Sequence, residues 1–79
     1  MLEQQAKWLF DEGGLAKAQI VPAPMGTGWH LQLVRFSKAA DVEVLERQRG
    51  GWRVFKSIDA AVNAAQAIGF RRVEVELAR

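Results

Sequence analysis

The stretch Arg47-Gln48-Arg49-Gly50-Gly51-Trp52-Arg53-Val54-Phe55-Lys56-Ser57, continued by Ile58-Asp59-Ala60-Ala61-Val62-Asn63-Ala64-Ala65-Gln66-Ala67-Ile68-Gly69-Phe70, decides how this chain folds. It reads as a basic hairpin tip, a strand, a capped helix, a glycine stop and the start of a closing strand. Ser57 is placed to cap the helix, because its hydroxyl accepts an unpaired N–H of the first turn, and Asp59 adds favourable negative charge there. Ile58, Ala61, Val62, Ala65 and Ile68 form one apolar stripe, and Asp59, Asn63 and Gln66 face out. Alanines favour the helix and let it approach a sheet closely. Gly69 ends it, with Phe70 folding back over the last turn.

The Gly50-Gly51 turn allows two registers. A two-residue turn opposes Arg49 to Trp52. A three-residue loop, Arg49-Gly50-Gly51, opposes Gln48 to Trp52 and puts Val42, Val44, Trp52 and Val54 on one face. The second segregates apolar from polar better, since a slip of one residue exchanges every side chain between faces. On that register Trp52 and Val54 are expected in the core.

Working outward, residues 71–77 form a last strand with Val73, Val75 and Leu77 inward. A strand, a helix and a returning strand suggest a crossover that lays this strand parallel to residues 53–55. Upstream, Trp29-His30-Leu31-Gln32-Leu33-Val34-Arg35-Phe36 is the clearest strand. Trp29, Leu31 and Leu33 alternate onto one face, and His30, Gln32, Val34 and Phe36 onto the other. Ser37-Lys38-Ala39-Ala40-Asp41 connects it to a strand over residues 42–48. Residues 15–21 form a further strand, broken by Pro22-Ala23-Pro24, where the missing donors imply an edge or a loop. At the start, Leu2, Ala6, Leu9 and Phe10 share a helix face, Trp8 lies off it, and Glu12-Gly13-Gly14 stops it. The expectation is one α+β domain over residues 1–79: a two-layer fold in which two helices cover one face of a mostly antiparallel five-stranded sheet, in the order α-β-β-β-β-α-β.

Seventy-nine residues allow one modest core. With no cysteine, disulfides and thiolate metal sites are excluded as staples, so self-association is a natural way to gain burial. No apolar run reaches the roughly 18 residues of a membrane helix, and the N-terminus lacks the basic start and apolar centre of a secretion signal. The expected location is the cytoplasm, with no membrane partner. The formal net charge is only +2. Glu3, Asp11 and Glu12 cluster early while arginines crowd the remainder, a bias that permits a nucleic-acid partner without requiring one.

The segment from Arg47 to Leu77, with its Arg-Gly-Gly-Trp-Arg-Val-Phe-Lys-Ser-Ile-Asp-Ala-Ala core and its Ile68-Gly69-Phe70 stop, resembles small plasmid-borne ParC-family partition-associated proteins, which are distinct from the topoisomerase subunit of that name. The resemblance implies a bacterial plasmid or mobile-element protein that assists DNA maintenance. It brings no catalytic pattern with it, and residues 1–46 do not contribute to it.

No catalytic residue, cofactor or metal ligand is expected, and the chain reads as a non-enzyme. The single histidine, His30, has no neighbouring carboxylate motif and reads as a packed strand residue. Ser37 and Ser57 lack an activating base. Glu74 and Glu76 share a strand face, where alternation turns them to solvent and arginines satisfy them. Gly26-Thr27-Gly28 is followed by a strand, so it lacks the helix N-terminus a phosphate loop needs.

The sheet face away from the helices is the more informative surface. Val34, Phe36, Leu45 and Phe55 point there in the preferred register. Three readings compete for this strip: internal cover by the N-terminal segment; a homodimer or other protein interface; or single-stranded nucleic acid, stacked on the aromatics and paired to Arg47, Arg49, Arg53, Arg71 and Arg72. Glu43, Glu74 and Glu76 are expected on the same face and oppose a polyanion, which ranks association first. The sequence therefore implies a protein-interaction module that meets itself or another protein, with weak nucleic-acid binding as the alternative.

Overall fold

A computed structural model describes residues 1–24, 26–36 and 42–77. The expected connection Ser37-Lys38-Ala39-Ala40-Asp41 lies outside the described residues. The order is α1 (Glu3–Asp11), β1 (Leu15–Pro22), β2 (Trp29–Arg35), β3 (Val42–Val44), α2 (Ile58–Ile68) and β4 (Glu74–Val75). The fold is α+β, as expected, but its open mixed sheet has four strands, in the order β3-β2-β1-β4. β1 pairs antiparallel with β2, and β2 with β3, while β4 runs parallel to β1.

The expected fifth strand fails for a local reason. Residues 52–55 do not stay with one neighbour. Trp52 bridges Glu46, whereas Phe55 bridges Trp29 at the start of β2. Phe55 and Trp29 exchange both backbone hydrogen bonds at 2.8 Å, and the Arg53 N–H donates to the Leu45 carbonyl at 2.9 Å. The turn is also longer than expected, with the Arg47 N–H closing onto the Gly51 carbonyl. Because this segment passes from β3 to β2, the returning strand after α2 finds its partner in β1 instead of in residues 53–55.

Both helices form to plan. The Ser57 hydroxyl accepts the Ala60 N–H at 3.1 Å, and Gly69 closes α2 with φ of 134°. Ala61, Ala64, Ala65 and Ile68 are buried, with Ile58 and Val62 packed beside them. Phe70 turns back so that its ring meets Phe10 edge-on at 4.8 Å, and a Cβ on Gly69 would lie 2.7 Å from that Phe10 ring. The glycine thus serves both the turn and the helix contact. In α1, the Leu2 N–H donates to the Gln5 side chain, and Gly13 and Gly14 take the last carbonyls.

The core lies between the helices and one sheet face. Ala18, Ile20, Leu31, Leu33 and Leu45 line that face with Leu15 and Phe55, under Ala6 and the α2 alanines. A bulge between Leu15 and Lys17 lets Leu15 and Ala18 both turn inward despite their odd spacing.

The sheet's two edges are finished differently. On the β3 side, the Met1 main chain takes up Val44 and Glu46: the Met1 nitrogen donates to the Val44 carbonyl at 3.2 Å, and the Glu46 N–H donates to the Met1 carbonyl at 2.7 Å. On the β4 side only the pairing to β1 is present among the described residues.

Candidate interaction surface

Cross-strand partners share a face, so the ladders state which residues line the uncovered side. Lys17 lies opposite Val34, Gln19 opposite Gln32, and Val21 opposite His30; on the other side of β2, Gln32 meets Val44 and Val34 meets Val42. Trp52 joins them, with its ring edge-on to His30 at 5.4 Å. The face divides in two. His30, Val34 and Val21 are sealed by their neighbours. Trp52 is 56% exposed, Val54 51% and Val42 43%, and together they form an open apolar strip along the β3 side.

This arrangement corrects the expected surface. Leu45 is fully buried and Phe55 is 4% exposed, both on the helix-covered face, so neither can meet a partner. Val34 does lie on the uncovered face but is buried there, and Phe36, just past the end of β2, is exposed. Trp52 and Val54, expected in the core, are the outward residues. Val42, Val44, Trp52 and Val54 do share a face, as the three-residue loop implies, but it is the uncovered face and not the core face. Pairing with β2 sets the phase: the Leu45 N–H donates to the Leu31 carbonyl, and Phe55 bridges Trp29, which locks Leu45 and Phe55 to the Leu31 side. Glu43 also moves, because it opposes inward-facing Leu33 and binds Arg35 at 3.1 Å.

The arginines do not form one surface. Arg53 pairs with Glu3 on α1 at 3.1 Å and lies 4.7 Å over the Phe55 ring. The Arg47 Nε donates to the Gly50 carbonyl, shaping the turn, and Arg49 is exposed at its tip. Arg71 and Arg72 are exposed beside Phe10, Lys17 and Gly69, where they line a shallow open groove of about 580 Å³. The tip follows β3 and Arg71-Arg72 precedes β4, so the two groups belong to opposite edges of the sheet. A continuous phosphate track would need them together.

Glu74 is held by Lys17 at 3.4 Å and by the Gln19 amide at 3.3 Å. The Gln19 and Lys17 hydrogen bonds, reinforced by the Lys17 charge, keep its carboxyl below the ordinary carboxylate range, the opposite of what a general acid requires. Among the described residues, no group of three or more His, Asp or Glu side chains is placed to hold a metal ion, and no helix is long and apolar enough to cross a membrane. A second open groove of about 580 Å³ runs between α1 and the β3 side, where Gln4, exposed Trp8, Leu9, Arg35 and Glu43 line it. Comparison with protein-family models, curated proteins and solved structures finds no match for this chain.

Proposed function

We propose that this chain is a non-enzymatic protein-interaction module, accessory to plasmid or mobile-element maintenance, that docks a protein partner with an apolar strip of its own. The observation that carries the reading is the exposed line of Val42, Trp52 and Val54 on a sheet face that neither helix covers. Large apolar side chains grouped on an exposed face mark association sites, and tryptophan contributes heavily to such contacts. The link to plasmid maintenance rests on the resemblance of residues 47–77 to partition-associated proteins.

Trp52→Glu tests the reading, since Trp52 is outward and its loss leaves the helix-covered core intact. Retention of a plasmid that carries the gene should fall to the level of a deletion, while far-UV circular dichroism stays unchanged. Arg49→Glu and Arg72→Glu should retain the plasmid. The opposite pattern, with the arginine changes losing the plasmid and Trp52→Glu keeping it, would replace this reading with nucleic-acid binding. The exposure of Arg49, Arg71 and Arg72 favours that second reading. It further requires salt-dependent retention of labelled DNA or RNA in a gel-shift assay.

A further inference from the structure

Among the described residues, no strand lies beyond β4 in the sheet. The Glu76 N–H donates to the Ile20 carbonyl at 2.8 Å, and Ile20 stands opposite Val75. In a parallel pair this means that Glu74 and Glu76 turn their backbone groups toward β1. Alternation then turns the N–H and C=O groups of Val73 and Val75 away from β1, where no partner meets them among the described residues. The side chains are open too: Val75 is 40% exposed and Leu77 is 74% exposed. Edge strands are normally blunted by short length and charge, and β4 has both. The order of its charges matters, however. Arg71-Arg72-Val73-Glu74-Val75-Glu76 places cations before anions, so the same stretch reversed sets opposite signs against each other.

We propose that residues 72–74, which lead into β4, pair antiparallel with the same residues of a second copy of this chain, about a two-fold axis through Val73. The axis stands normal to the sheet, so both helix layers stay on one side and the two four-stranded sheets become continuous. Val73 bonds its own counterpart across the axis, and the pairing ends at the bend at Arg71. Arg72 then faces Glu74 of the other copy twice, in the non-hydrogen-bonded positions where opposing Cα atoms approach to about 4.5 Å. Neighbouring registers that keep the faces matched are worse. Centring on Glu74 opposes two glutamates, centring on Val75 sets Glu74 against Glu76, and centring on Arg72 opposes two arginines. Like charges placed directly opposite are destabilising. The Val73 register therefore admits a second copy and disfavours its own slips. This deepens the association reading by naming one partner, but on a separate surface from the Trp52 strip.

Sedimentation of the full chain tests it. The wild type should show a concentration-dependent monomer–dimer equilibrium. Arg72→Glu and Glu74→Arg should each be monomeric alone, because each opposes like charges, and their equimolar mixture should dimerise again. Val73→Pro, which removes the donor at the axis but no bond to β1, should be monomeric with native far-UV circular dichroism, its melting temperature lowered only by the lost packing of the Val73 side chain against the core. A wild type that stays monomeric up to about 1 mM overturns the proposal. So does a dimer that survives Arg72→Glu and Val73→Pro. A dimer dissolved by Trp52→Glu instead would move the self-contact to the open face and leave the interaction-module reading standing without the edge.

Discussion

The β3 and β4 sides of one sheet show how the same backbone problem receives two treatments. On the β3 side, the Met1 main chain and the Trp52–Phe55 return take up the backbone groups, and the residues beneath, Leu45 and Phe55, are buried. On the β4 side, two residues pair with β1, and Val75 and Leu77 are exposed. The first arrangement serves the stability of the single chain. The second leaves the outer backbone groups of β4 without a partner among the described residues. On the helix-covered face, Leu45 and Phe55 at the β3 side are thus part of the core, whereas Val75 on the same face at the β4 side is 40% exposed.

The sharpest way to break this contrast is a matched pair of truncations. Leu45→Ala should cost about 2–5 kcal/mol in urea unfolding, as a fully buried leucine does. Val75→Ala should cost less than about 1 kcal/mol, measured at a concentration where the chain is monomeric. Equal costs would mean that the two sides are not different in kind.

A smaller effect sharpens the account of the β3 side. Gly28 has φ of +87°, and a Cβ there would sit 2.4 Å from Val54 Cγ1 and 2.9 Å from the Phe55 carbonyl oxygen. Gly28→Ala should therefore lower stability by roughly 2 kcal/mol in thermal unfolding, from backbone strain and displacement of the Phe55 bridge together. Gly50→Ala is the control: its φ of +91° is as unfavourable, but nothing lies within 4 Å. It should cost about 1 kcal/mol.

The smallest effect belongs to the β4 side. Glu74 faces Gln19 and Lys17 of β1, with Glu76 two residues along its own strand, and its folded pKa lies below its unfolded value. Its contribution is thus complete above the ordinary carboxylate range and is lost as pH falls through the lowered folded value. Glu74→Gln should remove that part of the acid sensitivity of the melting temperature and leave the neutral-pH value nearly unchanged, because the pair is solvent-exposed. A large loss at neutral pH would show that β4 carries more of the monomer's stability than its burial implies.

The helices were legible from residues a few positions apart, because Ser57, the alanine stripe and Gly69 act locally. The phase of β2 is legible too, since Trp29, Leu31 and Leu33 are all apolar, whereas Val34 and Phe36 share their face with His30 and Gln32. The hairpin is not. Val42, Val44, Trp52 and Val54 outnumber Leu45 and Phe55, so apolar count pointed the larger group inward. The decision lies in the pairing of Leu45 with Leu31 and of Phe55 with Trp29, contacts between residues that local alternation does not relate. The same limit hides the candidate site: alternation groups Trp52 with Val54 but does not say which side of the sheet they face. The partner of β4 was obscured for a similar reason, because a crossover fixes direction but does not select among available strands.

The pairing of β4 with β1 also sets an order of events. Gln19 and Glu74 are 55 residues apart, whereas β1 and β2 follow one another directly in the chain. Contacts between distant segments require a costly loop closure, which becomes cheaper once the intervening β1–β2–β3 meander and α2 have condensed. The β4 edge therefore takes shape last. A chain that has not finished folding has no such edge to offer, so copies joined through it would be joined only after each has reached its native form.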